Sequence, residues 1–92
     1  MKVRVLNDKV MVKVKLDEEI SAGGIILTGA KQERKYEGVV VGVGNNDDIA
    51  KRGVKEGSYV WYPRGLNTEV IVDDVIYDIV SIYDIQAVGE EE

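Results

Sequence analysis

A chain of 92 residues carries one domain, close to the size at which a single core only just supports itself. Its 17 Asp and Glu against 12 Lys and Arg give a net charge of −5, which would repel a phosphate backbone and argues against nucleic acid as a partner. With no Cys and no His, disulfide frameworks, thiolate metal sites and Ser-His or Cys-His nucleophile systems are excluded.

The chain opens on Met1-Lys2-Val3-Arg4, which lacks the apolar block of a signal peptide. No run approaches the roughly 20 apolar residues of a membrane span. A cytosolic protein with no membrane partner is the simple expectation. Val and Ile dominate the apolar residues, a bias that favours strands.

Lys2 to Leu6 is short and strand-like, and Asn7-Asp8 is a turn signal. Lys9 to Leu16 has the cleanest period of two in the sequence. Val10, Val12, Val14 and Leu16 face one way, and Lys9, Met11, Lys13 and Lys15 the other, which predicts a strand with one buried and one wet face. Asp17-Glu18-Glu19 ends it. Tyr36 to Val43 reads as a second strand whose glycines suit the bends of a small barrel. Gly44 to Asp48 reads as a loop and Ile49 to Lys55 as irregular.

Val54 to Ser58 is a turn feeding a strand over Tyr59 to Tyr62, which Pro63 stops because it has no N–H to donate. Glu69 to Val72 and Val75 to Val80 flank Asp73-Asp74 as a hairpin. Ser81 to Val88 is a final strand, or one helical turn and a strand, before the acidic end Gly89 to Glu92. Six or so short strands with frequent turn signals predict an all-β sandwich or barrel.

Candidate chemistry is sparse. Asp47-Asp48 and Asp73-Asp74 are acidic pairs that could in principle bind a cation or move a proton, and turn chemistry accounts for both. Gly42 to Asp47 lacks the third glycine and the following helix of a dinucleotide fingerprint. Lys9 opens a strand near the N-terminus, unlike the mid-chain hairpin lysine of a lipoyl carrier. The basic cluster Lys31, Glu33, Arg34, Lys35 reads as a solvated loop flank. No catalytic or metal-ligating residue and no cofactor is expected.

The unusual stretch is Ser21-Ala22-Gly23-Gly24-Ile25-Ile26-Leu27-Thr28-Gly29, three large aliphatic side chains between glycines. A short core strand would explain the triplet but not the glycines around it, since glycine interrupts strands. The alternative is a flexible loop that carries an exposed apolar plug for a partner's groove. On the first reading the chain is a small β-barrel binding or carrier module with Ile25 to Leu27 in its core.

This stretch, with Asn7-Asp8-Lys9-Val10 before it, resembles the GroES-type co-chaperonins. The order of the later segments resembles them too. Gly38 to Asn45 is similar to that family's central strand and its Gly-Asn exit. Val54 to Val60 resembles its next turn and strand, and Ser81 to Val88 its C-terminal segment. The likeness covers nearly the whole chain.

The resemblance implies a single irregular β-barrel domain over residues 1–92, with a mobile loop at about 17–35. It implies a heptameric homo-oligomer that caps a GroEL-type chaperonin around client proteins. Gly23, Gly24, Ile25, Ile26, Leu27, Thr28 and Gly29 would touch the chaperonin. Val3, Val5 and Leu6 of one subunit would meet Ile82, Ile85 and Val88 of the next. ATP would belong to the chaperonin. The implied compartment is the bacterial cytoplasm, or a host cytoplasm for a shortened, virus-encoded member.

Two departures stand out. Only Asn46 to Gly53 lies where the family commonly carries a roof hairpin, leaving a short loop at about 45–54. Leu66 sits near where many members have a tyrosine facing the cavity. A dome open at its top, with room for a bulky client, is the expectation.

Overall fold

The computed structural model describes residues 2–16 and 34–90. Its strands are β1 (Lys9–Leu16), β2 (Arg34–Val43), β3 (Tyr59–Trp61), β4 (Asn67–Val72), β5 (Val75–Ser81) and β6 (Ala87–Val88). One short helix, α1 (Asp47–Lys51), follows β2, and a 3-10 turn over Ile82–Asp84 precedes β6. All ladders are antiparallel, in one sheet of order β4-β5-β1-β2-β3-β6.

The sheet curls because the inward side chains of non-adjacent strands need one another. Val10 and Val12 of β1, Val40 of β2, Val60 of β3 and Val80 of β5 form one buried cluster with Ile49, Val54, Tyr62 and Ile82. β-Branched side chains dominate it, as suits a pleated, half-buried surface. Curling brings β3 and β5 together across the interior, although β1 and β2 separate them in the sheet. Tyr62, just after β3, donates its hydroxyl to Asp78 of β5 at 2.6 Å.

Tight curling needs close backbone approach, and two glycines provide it. A Cβ on Gly38 would lie 2.0 Å from the Lys13 carbonyl oxygen, beside the register shift between Val14 and Leu16. A Cβ on Gly44 would lie 2.1 Å from the Asn7 carbonyl oxygen. There the Asn7-Asp8 turn docks on the exit of β2. Asn46 N donates to Asn7 O at 3.1 Å, and Asn7 N donates to Asn45 Oδ1 at 2.9 Å.

The Asp73-Asp74 hairpin forms as expected, with both aspartates at positive φ. That is the two-residue geometry whose twist matches the flanking strands. β3 ends at Trp61, one residue earlier than the reading of Tyr59 to Tyr62, and Ser81 to Val88 is one helical turn and a short strand.

Three expectations are corrected. Met11, assigned to the wet face of β1, is 5% exposed, because Val5 folds back over that face and meets Gly42 beside it. Lys2 to Leu6, read as strand-like, joins no ladder among the described residues. Residues 47–51, read as loop and irregular chain, make a helical turn. Asn46 caps it by accepting from Asp48 N at 2.8 Å, and Ile49 buries beneath it.

Candidate functional site

Leu16 and Arg34, the described residues on either side of 17–33, face each other on one rung of the β1–β2 ladder. The proposed plug, Gly23 to Gly29, lies in that segment, outside the described residues. Arg34 and Lys35, taken as the end of the loop, instead open β2 and are half-buried.

Arg34 is no solvated flank. Its guanidinium pairs with Asp78 of β5, lies 3.6 Å from Glu69 of β4, and covers the Tyr36 ring at 4.3 Å. Asp78 is fully buried (0% exposed). Beyond Arg34 its carboxylate accepts from Tyr62 Oη at 2.6 Å and from Asn67 Nδ2 at 2.9 Å. These donors satisfy a carboxylate that burial has cut off from water. Burial opposes the charge on Arg34, yet Asp78 outweighs it and leaves the guanidinium's pKa raised. Burial, with donation to Asp78, pushes the Tyr62 hydroxyl up as well. The sequence held a signal for this site: Asp78 is in phase with Val80 on the inward face of β5, the one carboxylate in an apolar run.

The residues assigned to subunit contact are spread unevenly. Leu6 is exposed, Val3 is partly so, and Val5 is buried against its own chain. Ile85 and Val88 are half-buried beside the core, whereas Ile82 is wholly inside it. β6 is held by β3 through Val60–Val88 and Trp61–Ala87, leaving its other edge open among the described strands. Outside the curl, Val39, Val41 and Trp61 (39% exposed) form an apolar stretch across β2 and β3.

Beside it, Tyr59 donates to Glu37 at 2.7 Å and meets Trp61 edge-on, with ring centroids 4.9 Å apart. Burial, then the Glu37 carboxylate, pushes the Tyr59 hydroxyl up to about 12. A raised pKa favours the neutral hydroxyl in the folded state. Its contribution to stability is therefore complete below the ordinary tyrosine value of about 10 and drains away as pH rises through about 12. A spectrophotometric titration of phenolate should show Tyr59 ionising late, and Tyr59→Phe should reduce the late component to what Tyr62 contributes. Ionisation of every tyrosine near pH 10 would contradict it.

At the far end of the curl, α1 is tied down by Tyr83, which donates to Asp48 at 2.5 Å while Arg52 covers its ring at 5.2 Å. Leu66, between β3 and β4, is 54% exposed. Among the described residues no group of three or more His, Cys, Asp or Glu could hold a metal ion, and no helix is long and apolar enough to cross a membrane.

The described residues thus define a small antiparallel β-fold whose β1 and β2 meet at Leu16 and Arg34 on either side of residues 17–33. The chain belongs to the co-chaperonin family: the family described as "Chaperonin 10 Kd subunit" matches it over residues 2–89. It is 36% identical over 91 residues to the co-chaperonin GroES of Thermotoga petrophila, covering 99% of each chain. It is 40% identical over 90 residues to that of Treponema denticola, covering 98% of this chain and 100% of the relative. With the GroES of Dichelobacter nodosus the identity is 38% over 95 residues, covering 98% and 100%. The chain is thus a GroES-type co-chaperonin that works with a GroEL-type chaperonin in protein folding, and the family is not one of enzymes.

Proposed function

We propose that the chain caps its chaperonin by seating Ile25, Ile26 and Leu27 in an apolar groove, with Gly23, Gly24, Thr28 and Gly29 letting the backbone follow that groove. The observation that supports this reading is the Leu16–Arg34 rung, whose two residues are paired across β1 and β2 on either side of residues 17–33. Burying the three side chains gains roughly 1.5–3 kcal/mol each. Ordering the backbone around them costs about 1–2 kcal/mol per residue. One insert therefore binds weakly, and several on one ring bind well, because later contacts become intramolecular and can multiply affinity by about 10²–10⁴. Weak single contacts suit a lid that must detach in every cycle.

Seven copies would form that ring in the cytoplasm, around a client protein, and ATP would be bound by the chaperonin alone. Lys2 to Leu6 of one subunit would pair with the open edge near Val88 of the next, which supports assembly because exposed strand edges are avoided. The top of the dome would stay open, since the single turn of α1 occupies the place of a roof hairpin. Gel filtration tests the assembly. A large ring is expected, and a particle near 10.2 kDa would favour a small binding module instead.

A further inference from the structure

The Leu16–Arg34 rung is isolated from the rest of its ladder. The next pair is Val14–Gly38, and between the two the register shifts: Lys15 alone on β1 stands against Lys35, Tyr36 and Glu37 on β2. A single rung beyond such a bulge has little backbone bonding to hold it. Side chains hold it instead. Arg34 reaches past β1 to Asp78 on β5, and Asp78 is fixed in turn by Tyr62 and Asn67.

As a device for stability alone this arrangement is poor. Desolvating an ion pair offsets most of its attraction. Here Arg34 Nε is also buried without a hydrogen-bond partner among the described residues. What the pair does supply is position. It fixes where β2 begins, and therefore where the insert is tethered.

We propose that Asp78 and Arg34 are positioning residues for chaperonin docking, their buried pair clamping the root of the 17–33 insert to the barrel wall. The inference rests on the reading of Ile25 to Leu27 as the plug. Tyr36 is held separately, its carbonyl accepting from Tyr62 N at 3.2 Å and its ring packing on the core. Without the clamp, Arg34 and Lys35 would join the insert in the free protein and would have to be ordered again on docking. The loss recurs in every subunit and is compounded through avidity.

The test uses the full-length chain with Asp78→Asn, and Arg34→Gln as a second variant in case the buried substitution prevents folding. Ile49→Ala, a core change in α1 at the far end of the curl, serves as a control matched in thermal destabilisation. Capping of a GroEL-type ring in the presence of ATP is measured alongside backbone amide exchange. The clamp variants should weaken capping by about tenfold or more. They should speed exchange at Arg34 and Lys35 while Val10 and Val40 stay protected, and Ile49→Ala should cap as the parent does. Equal losses in the clamp and core variants would overturn the proposal, because they would mark a purely structural role. Parental capping by Asp78→Asn and Arg34→Gln, with Ile26→Ser impaired, would overturn the clamp alone. Parental capping by Ile26→Ser would overturn the plug and the clamp together.

Discussion

Serine at Ile25, Ile26 or Leu27 should abolish capping while leaving the oligomer intact. Each substitution forfeits most of the roughly 1.5–3 kcal/mol of transfer energy of one aliphatic side chain. At about 1.4 kcal/mol per decade, that is on the order of ten- to a hundredfold for one insert. A ring carries the same lesion in every subunit, so the losses compound and binding that depends on avidity fails. Co-sedimentation with the chaperonin in the presence of ATP measures the effect, and gel filtration checks that the ring survives. A serine variant that unfolds would place these residues in the core and return the chain to the binding-module reading.

Removing Met1 to Val5 should produce monomers with a largely intact barrel. Among the described residues Lys2 to Leu6 joins no ladder, which suits it to pairing with a neighbour. The cost inside the subunit is local: Val5 is lost from its place beside Met11 and Gly42. Burial of a side chain of that size is worth about 1.5–3 kcal/mol, less than the roughly 5–15 kcal/mol that typically holds a domain folded. Sedimentation would report the change of mass and circular dichroism the retained sheet. A ring unchanged by the deletion would rule out the edge pairing.

The parts of this fold legible in the sequence are those written in local periodicity or turn chemistry. Val10, Val12 and Val14 announce β1, Pro63 closes the segment that holds β3, and Asp73-Asp74 between two apolar runs marks the hairpin. Periodicity misses α1 because one turn is too short for a 3.6-residue pattern to register, although Asn46-Asp47-Asp48 is a good helix start. The burial of Met11 depends on Val5, outside the strand, and alternation along β1 cannot show it. The Arg34–Asp78 pair joins residues 44 positions apart. From sequence, Arg34 is one charge in a basic cluster, and only the curl of the sheet tells it from its neighbours. The proposed plug rests on composition, an aliphatic triplet framed by glycines, and lies between the paired residues Leu16 and Arg34.

The order of strands also dictates when this protein can become itself. β1, among the first segments made, has β5 for one of its two neighbours, and Ser81 donates to Asp8 at 2.5 Å to bind the two ends together. Partners so distant in the chain meet late, because a long loop must be closed before any contact rewards the closure. During synthesis β1 and β2 can pair as soon as both exist, but their partners Val60, Val80 and Ile82 are still to come. The half-made barrel therefore waits, apolar face uncovered, until the hairpin of β4 and β5 arrives. Folding of this small cap should be a single event that comes after completion of the chain, and a chain ending before Ser81 should show no protected core.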